Sequence, residues 1–479
     1  MPPEPIDLLI EARWVLPMAP VNTVLADHAV AVSSGKIVGL GPVAQMRERF
    51  EARDRVVRRD HALMPGFVNA HTRAATTLLR GLPVRGPRAR WLRDTVRPVE
   101  LRCMSADFVR EGTQLAVAEM LRAGITSFAD MNLFPEEAAR VASAARMRAA
   151  IGLPVADVPN VWADSATAHF ERAEQLWDEY RSDPWVCLYF APQDAAEVSD
   201  DTLVRVRRVA DELDARVAME APPLRRLHSL GLLRPGFAAI SHFDWAHFDW
   251  AHFAWAADEA ELVGATGISV IRCLQGDLRL GAGVWGAVSA EALGAEAGGV
   301  AVGDAAGRRA VGAGAWRVEA GAAAGADVRI DGGIGGSGAA PALLATVVGL
   351  GSGHAAGVGA LDMLAEARIA ALLSGGAVLA ADALRLATLG GATALGFAAD
   401  TGSIEPGKYA DLISVDLKRL ASQPTSSVPD SILFGATREQ VSDVWTSGRL
   451  AVSEGHLLGF DEDELMATAL KWQKLRDDT

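Results

Sequence analysis

The sequence predicts an α/β protein built as a (β/α)8 TIM-like barrel, with a small composite β-sandwich domain contributed by both chain ends. Short apolar runs alternate with amphipathic helical stretches from about residue 62 to 395. Repeated strand and helix units of this number favour a parallel sheet closed by helices. The two ends instead carry β-type runs separated by turn residues, a texture typical of small antiparallel sheets.

The sandwich domain is predicted from residues 1–61 and 396–479. The first part contains DLLIEARWVL and HAVAVSSGKIVGLG, and the second contains ADLISVDL and DVWTSGRLAVSEGHL, followed by a C-terminal helix. Because both parts share one pattern and enclose a long middle, we expect them to meet in one sheet domain.

The barrel is predicted over residues 62–395. Its strands include LMPGFVNA, ITSFADM, AAIGLPV, VCLYFAP, ARVAME and GISVIRC. Functional residues of such barrels lie at the carboxyl ends of the strands. The residues that end these strands are therefore the candidates for a site.

Residues 281–360 depart from this alternation, since they consist mainly of Gly, Ala and Val with scattered Arg and Asp. Little helical or strand periodicity is present there. Two interpretations stay open: a low-complexity insertion into the barrel, or a stretch translated from a shifted reading frame of GC-rich DNA.

Composition excludes several classes of partner. The net charge of -14 and the pI near 5.3 argue against binding nucleic acid or an anionic membrane surface. The cysteines, Cys103, Cys187 and Cys273, are few and widely spaced, which favours a reducing cytoplasm. The stretch MPPEPIDLLIEARWVL shows neither the basic start nor the apolar run typical of a signal peptide, and we expect no membrane span because no stretch of about 20 uncharged apolar residues is present. We expect a cytoplasmic protein with a small-molecule ligand.

A five-residue unit is repeated in HFDWAHFDWAHFAWA, residues 242–256, and carries His242, His247 and His252. Residues five apart lie about 140° apart around a helix and point to opposite faces of a strand. Three such rings cannot meet at one ion from regular structure. At most one of these histidines is expected to be a ligand.

Several stretches together resemble one family. They are residues 63–82 (LMPGFVNAHTRAATTLLRGL), 91–100, 112–131, 361–373 and 386–417. This pattern is similar to the metal-dependent amidohydrolase superfamily, in the branch of methylthioadenosine/S-adenosylhomocysteine deaminases and chlorohydrolases. The resemblance implies hydrolysis of carbon–nitrogen bonds in a purine-like or other N-heterocyclic substrate, and a homo-oligomer. It also implies zinc or iron held by His-x-His after the first strand, a His on the fifth, a His on the sixth and an Asp on the eighth.

Only part of that ligand set is found when it is carried over. His71 matches the first position, but Arg73 occupies the second, and a guanidinium has no lone pair to offer a metal. Gln193 replaces the fourth-strand His in APQDAAEVS. In VAMEAPP, Glu220 matches the proton-handling Glu, whereas Val217 occupies the fifth-strand ligand position.

The remaining positions are ambiguous. Counting back about 22 residues from Arg272, where the family usually has a substrate-contacting His, reaches the repeat, so His252 or alternatively His247 is the sixth-strand candidate. Asp331, in VRIDGG, is the preferred eighth-strand ligand and catalytic residue, with Asp304 as the alternative. Arg73, Gln193 and Arg272 are predicted to contact substrate.

Three functional hypotheses follow. The first is a pseudoenzyme that has lost or altered metal-dependent hydrolysis and acts in binding or assembly, with Arg73 paired to Glu220 or to the eighth-strand Asp. The second is an active hydrolase or deaminase with a reduced site, and the third is metal-independent chemistry with Arg73, Arg272 and Glu220. No cofactor is expected unless the reduced site still binds zinc or iron. The other histidines, including His354, are expected to be ordinary, and Asp130 either lines the pocket or serves as a structural hydrogen-bond acceptor.

Overall fold

A parallel sheet forms the centre of the computed structural model, which describes residues 2–84, 88–241, 257–280, 347–374 and 376–477. Its strands are β5 (Phe67–Arg73), β6 (Ile125–Asp130), β7 (Arg148–Val155), β8 (Val186–Pro192), β9 (Arg216–Glu220), β10 (Phe237–Ser241), β11 (Ser269–Arg272), β12 (Val347–Leu350) and β13 (Gly353–His354). Neighbours in this order pair in parallel from β5 to β12.

The sheet closes on itself through its last two strands. β12 pairs with β11, and β13, which begins after two further residues, pairs with β5 through Gly353 opposite Thr72 and His354 opposite Arg73. β12 and β13 therefore form the eighth barrel position together. The predicted barrel is confirmed.

The eighth position lies inside the segment 281–360, where low complexity was expected. Residues 347–354, VVGLGSGH, form strand structure, and a short helix follows at Ala355–Val358. The eighth barrel position therefore overlaps the end of the predicted low-complexity segment. Glycine and serine weaken the sequence signal of a strand, yet glycine is favoured where another backbone approaches closely. A Cβ added at Gly351 would lie 2.7 Å from the backbone nitrogen of His71.

The two chain ends meet in a second sheet, as predicted. Its strands are β1 (Glu4–Val15), β2 (Leu25–Ser33), β3 (Lys36–Pro42), β4 (Phe50–Pro65), β14 (Leu412–Asp416), β15 (Val441–Thr446), β16 (Arg449–Ser453) and β17 (His456–Leu457). They form one hydrogen-bonded order, β17-β16-β15-β14-β4-β1-β2-β3, in which β14 pairs antiparallel with β4.

The sheet domain is joined directly to the barrel. β4 runs past residue 61 and is followed, after Gly66, by the first barrel strand. The Gly66 amide donates to the Asp411 carbonyl, and a Cβ at this glycine would lie 2.1 Å from Oγ1 of Thr126. Arg148 of β7 pairs with the Asp411 carboxylate at 3.4 Å, with both side chains buried. These contacts place the first strand and its site residues relative to the second domain.

Helices surround the barrel and follow its strands. The described helices are Val43–Arg49, Arg88–Trp91, Arg97–Cys103, Ala106–Arg122, Pro135–Ala145, Ala166–Tyr180, Asp200–Leu213, Leu224–Ser229, Ala257–Thr266, Leu274–Arg279, Ala355–Val358, Met363–Leu373, Ala380–Arg385, Gly391–Leu395, Val428–Asp430 and Glu462–Asp477. Ser105, Ser165 and Ser199 cap three of the longer ones by accepting a backbone N–H of the first turn.

The C-terminal helix Glu462–Asp477 packs on the barrel helix Ala106–Arg122. The Trp472 ring meets Phe108 edge-on with centroids 5.2 Å apart, and its indole N–H donates to Glu111. Among the described helices, none combines the length and apolar character needed to cross a membrane.

Candidate functional site

Three charged or polar side chains meet at the carboxyl ends of β5 and β9. His71 and Arg73 are two positions apart on β5 and therefore point to the same face, while Glu220 ends β9. Nε2 of His71 lies 3.0 Å from Oε1 of Glu220, and Nε of Arg73 donates to that same oxygen at 3.0 Å. The predicted pairing of Arg73 with Glu220 agrees with this geometry.

The side chains of His71, Arg73 and Glu220 are mostly, but not completely, shielded from solvent. The His71 side chain is 1% exposed, whereas the Glu220 and Arg73 side chains are 18% and 24% exposed. Burial alone would lower the pKa of Arg73, but the neighbouring carboxylates of Glu220, Glu100 and Asp130 more than offset it, so its pKa is raised. Arg73 is therefore a permanent cation of the barrel mouth.

A second acid–histidine pair lies beside Arg73. Nε2 of His354 is 3.1 Å from Oε1 of Glu100, which belongs to the helix Arg97–Cys103. His354 is opposite Arg73 in the strand register and meets the Trp91 ring edge-on at 5.9 Å. Burial raises the pKa of Glu100, but the hydrogen bond with His354 and the charge of Arg73 together lower it by more, so the net shift is downward.

His354 was expected to be an ordinary surface or satisfied histidine, and the structure gives it Glu100 as a partner at a position in the barrel mouth, where the eighth strand brings it. Sequence reasoning missed it since GLGSGH was counted with the low-complexity segment. Its place shortly before LDMLAEARIAALL, residues 361–373, was the available signal.

Asp130 lies at the end of β6 and is fully buried. It accepts the backbone N–H of Ala74 at 2.7 Å and the side-chain amide of Asn132 at 2.8 Å. Burial raises the pKa of Asp130, and this effect exceeds the opposite effects of these hydrogen bonds and of the charge of Arg73. Of its two predicted roles, the structure shows the hydrogen-bonding one, which fixes the turn after β5.

The other predicted positions are less central. Gln193 follows β8 and donates to the carbonyl of Ala191 at 3.3 Å. Val217, in the fifth-strand ligand position, is a buried core residue. Arg272 ends β11. Burial lowers its pKa, and the charge of Asp277, 3.9 Å away, offsets part of this shift.

The described residues by themselves do not complete a metal site. Within the ranges that the structure covers, no group of three His, Cys, Asp or Glu side chains is arranged to hold one. The eighth strand contains no carboxylate in VVGLGSGH, and Arg73 places a cation beside His71. His247, His252, Asp304 and Asp331 lie outside the described residues, and the strand in the eighth position begins at Val347, after all four.

Among the described residues, the barrel mouth thus holds His71, Arg73 and Glu220 in mutual contact. The model of the amidohydrolase family matches residues 62–307 and 326–451, and the chain belongs to this family. The predicted resemblance is confirmed.

Curated relatives and solved structures agree with this membership. A 5-methylthioadenosine/S-adenosylhomocysteine deaminase of Teredinibacter turnerae is 30% identical over 98% of this chain and 97% of its own length. One of Saccharophagus degradans is 28% identical over 98% of this chain and 96% of its own length. A zinc-bound adenosine deaminase of Xanthomonas campestris has a TM-score of 0.84 and 34% identity, covering 100% of both chains.

The fold extends to more distant hydrolases. A zinc complex of the atrazine chlorohydrolase of Arthrobacter aurescens has a TM-score of 0.76 at 18% identity, covering 97% of this chain and 99% of its own. This likeness concerns the fold.

Proposed function

We propose that this chain is a deaminase-type hydrolase that acts at a carbon–nitrogen bond of a small N-heterocycle bound in the barrel mouth. In such a reaction water adds to the ring carbon that carries an exocyclic amine, and the amine leaves as ammonia. The observation that carries the proposal is the contact of Glu220 with His71, in a chain whose deaminase relatives match along nearly their whole length.

Glu220 is the residue of the cluster suited to proton transfer. It ends a barrel strand, is partly exposed to the mouth and has both His71 and Arg73 on one carboxylate oxygen. A carboxylate held in this way can take a proton from an incoming water and return it to a leaving amine. Arg73 orients it through the hydrogen bond from Nε to Oε1, and His71 lies 3.0 Å from the same oxygen.

The test is ammonia release from adenosine, 5′-methylthioadenosine and S-adenosylhomocysteine by the purified full chain. Glu220→Gln keeps the size of the side chain and removes its basicity, so we expect at least a hundredfold loss of kcat. Glu212→Gln is the matched control, because Glu212 is 65% exposed on a helix surface and pairs with Arg208 at 3.8 Å. Failure of all three compounds to release ammonia would contradict the proposal.

A second candidate is favoured by Arg73. Its cation lies where the resemblance places a metal ligand, beside a buried histidine. Without a metal ion, water keeps its high pKa and stays a poor nucleophile, so hydrolysis is slow. The second candidate is therefore a protein that binds an N-heterocycle in the same mouth without hydrolysing it. Binding of these compounds without ammonia release, with or without added zinc, would support it over the first.

We also propose that the protein is cytoplasmic. Cys103, Cys187 and Cys273 are free thiols, which supports the reducing cytoplasm predicted from their number and spacing. A homo-oligomer remains an implication of family membership, to be measured by sedimentation.

A further inference from the structure

Among the described residues, only one guanidinium nitrogen of Arg73 makes a hydrogen bond. An arginine offers five N–H donors, and Arg73 donates through Nε to Glu220. Within the part of the chain that the structure describes, its two terminal nitrogens make no hydrogen bond, although about a quarter of the side chain, 24%, is exposed. A planar pair of N–H groups is therefore left for a ligand in the mouth.

The charges around Arg73 define what that ligand can be. Glu220 and Glu100 are close enough to raise the pKa of Arg73, and Glu100 is itself paired with His354. Two carboxylates beside one guanidinium disfavour a further anion, because like charges repel strongly at a shielded site. A neutral hydrogen-bond acceptor meets no such penalty.

We propose that Arg73 replaces the metal cation of the family as the fixed positive charge of the mouth, and that its terminal N–H pair recognises the oxo edge of an N-heterocycle. The oxo edge is a carbonyl oxygen beside a ring nitrogen, both of them acceptors. This proposal rests on the ligand class of the proposed function but not on turnover.

The preference for an oxo ligand follows from donor and acceptor chemistry. A guanidinium can only donate. Arginine pairs in a bidentate manner with adjacent carbonyl and ring-nitrogen acceptors of guanine, a geometry that discriminates strongly between bases. An exocyclic amine in place of the carbonyl also donates, so one of the two hydrogen bonds is replaced by an opposed pair of donors. The mouth should bind a 6-oxopurine nucleoside more tightly than the 6-amino form.

The experiment is calorimetric binding of inosine and adenosine to the full chain in the presence of a chelator. We expect inosine to bind at least tenfold more tightly, a difference of about 1.4 kcal/mol. Arg73→Gln should remove the preference, and Arg73→Lys should reduce it, because lysine keeps the charge but not the planar pair of donors. Arg181→Gln is the matched control, since Arg181 is 65% exposed and pairs with Asp178 at 3.7 Å.

Measurements on the parent protein keep the proposal testable if the Arg73 variants do not fold. Equal binding of the two nucleosides, or binding of neither, would overturn it. So would close to one zinc ion per chain by mass spectrometry, retained after dialysis and lost in His71→Ala. An ammonia assay on adenosine in parallel separates the two proposals: inosine binding without ammonia release retains the role of Arg73 and removes the hydrolase.

Discussion

Arg73 donates from Nε to Oε1 of Glu220 at 3.0 Å, and the same oxygen lies 3.0 Å from Nε2 of His71. The two residues that form the ion pair are 147 positions apart in the chain and end two strands of one barrel. A cation and a carboxylate that are both largely shielded from solvent stabilise the fold mainly because neither is left unpaired.

Removing the cation should therefore destabilise the protein. We expect Arg73→Gln to lower the free energy of unfolding by about 1–3 kcal/mol, less than for a fully buried pair because both side chains are partly exposed. Urea denaturation measures it. The double variant with Glu220→Gln should recover part of the loss, since it leaves no unpaired charge. Arg208→Gln is the control, because it removes an exposed surface pair and should change stability by less than about 0.5 kcal/mol. An equally small effect of Arg73→Gln would show that the Arg73–Glu220 pair contributes nothing to stability.

Glu366 should make stability depend on pH. Burial raises the pKa of this carboxyl from 4.5 to about 8, although the hydrogen bonds that it accepts from the backbone N–H groups of Gln275 and Leu274 act to lower it. The folded state then holds a proton that the unfolded state has released. Its contribution is complete below pH 4.5 and is lost as the pH rises towards 8.

Between pH 5 and 8 the loss should amount to about 2–4 kcal/mol. Glu366→Gln cannot ionise, so its stability should fall less over this interval, as measured by urea denaturation at several pH values. Glu464→Gln, at an exposed position of the C-terminal helix, is the control. Parallel pH profiles for the parent and Glu366→Gln would contradict the raised pKa.

Gly66 should not tolerate a side chain. An added Cβ would lie 2.1 Å from Oγ1 and 2.7 Å from Cβ of Thr126, which is fully buried and cannot move away freely. We expect Gly66→Ala to cost about 2–3 kcal/mol of stability. Gly41→Ala is the matched control: there the nearest atom, 3.2 Å away, is the sulfur of the flexible Met46 side chain. Similar melting temperatures for the two variants would show that the junction between sheet domain and barrel relaxes.

The barrel and the two-ended sheet domain were predictable because they depend on repeated local patterns. Alternation of strands and helices, and the shared texture of the two ends, are properties of short windows of sequence. The altered first-strand motif was equally readable, since a histidine and an arginine two positions apart on one strand must share a face.

The position of His354 in the barrel mouth could not be predicted from local patterns. Its strand, rich in glycine, has almost no local signal, and the glycine needed for close approach to His71 looks the same as glycine in a low-complexity segment. Closure of the barrel, which is a long-range event, places His354 opposite Arg73 and beside Glu100.

The sequence by itself determined the family pattern, the two-domain plan and the presence of Arg73 and Glu220 at strand ends, because each depends on residue type and short spacing. Only the tertiary structure decided that His71 and Arg73 both approach one oxygen of Glu220, and that His354 lies opposite Arg73 and pairs with Glu100. The physical reason is that the charge balance of a barrel mouth is set by side chains from strands far apart in the chain, and their distances exist only once the sheet has closed.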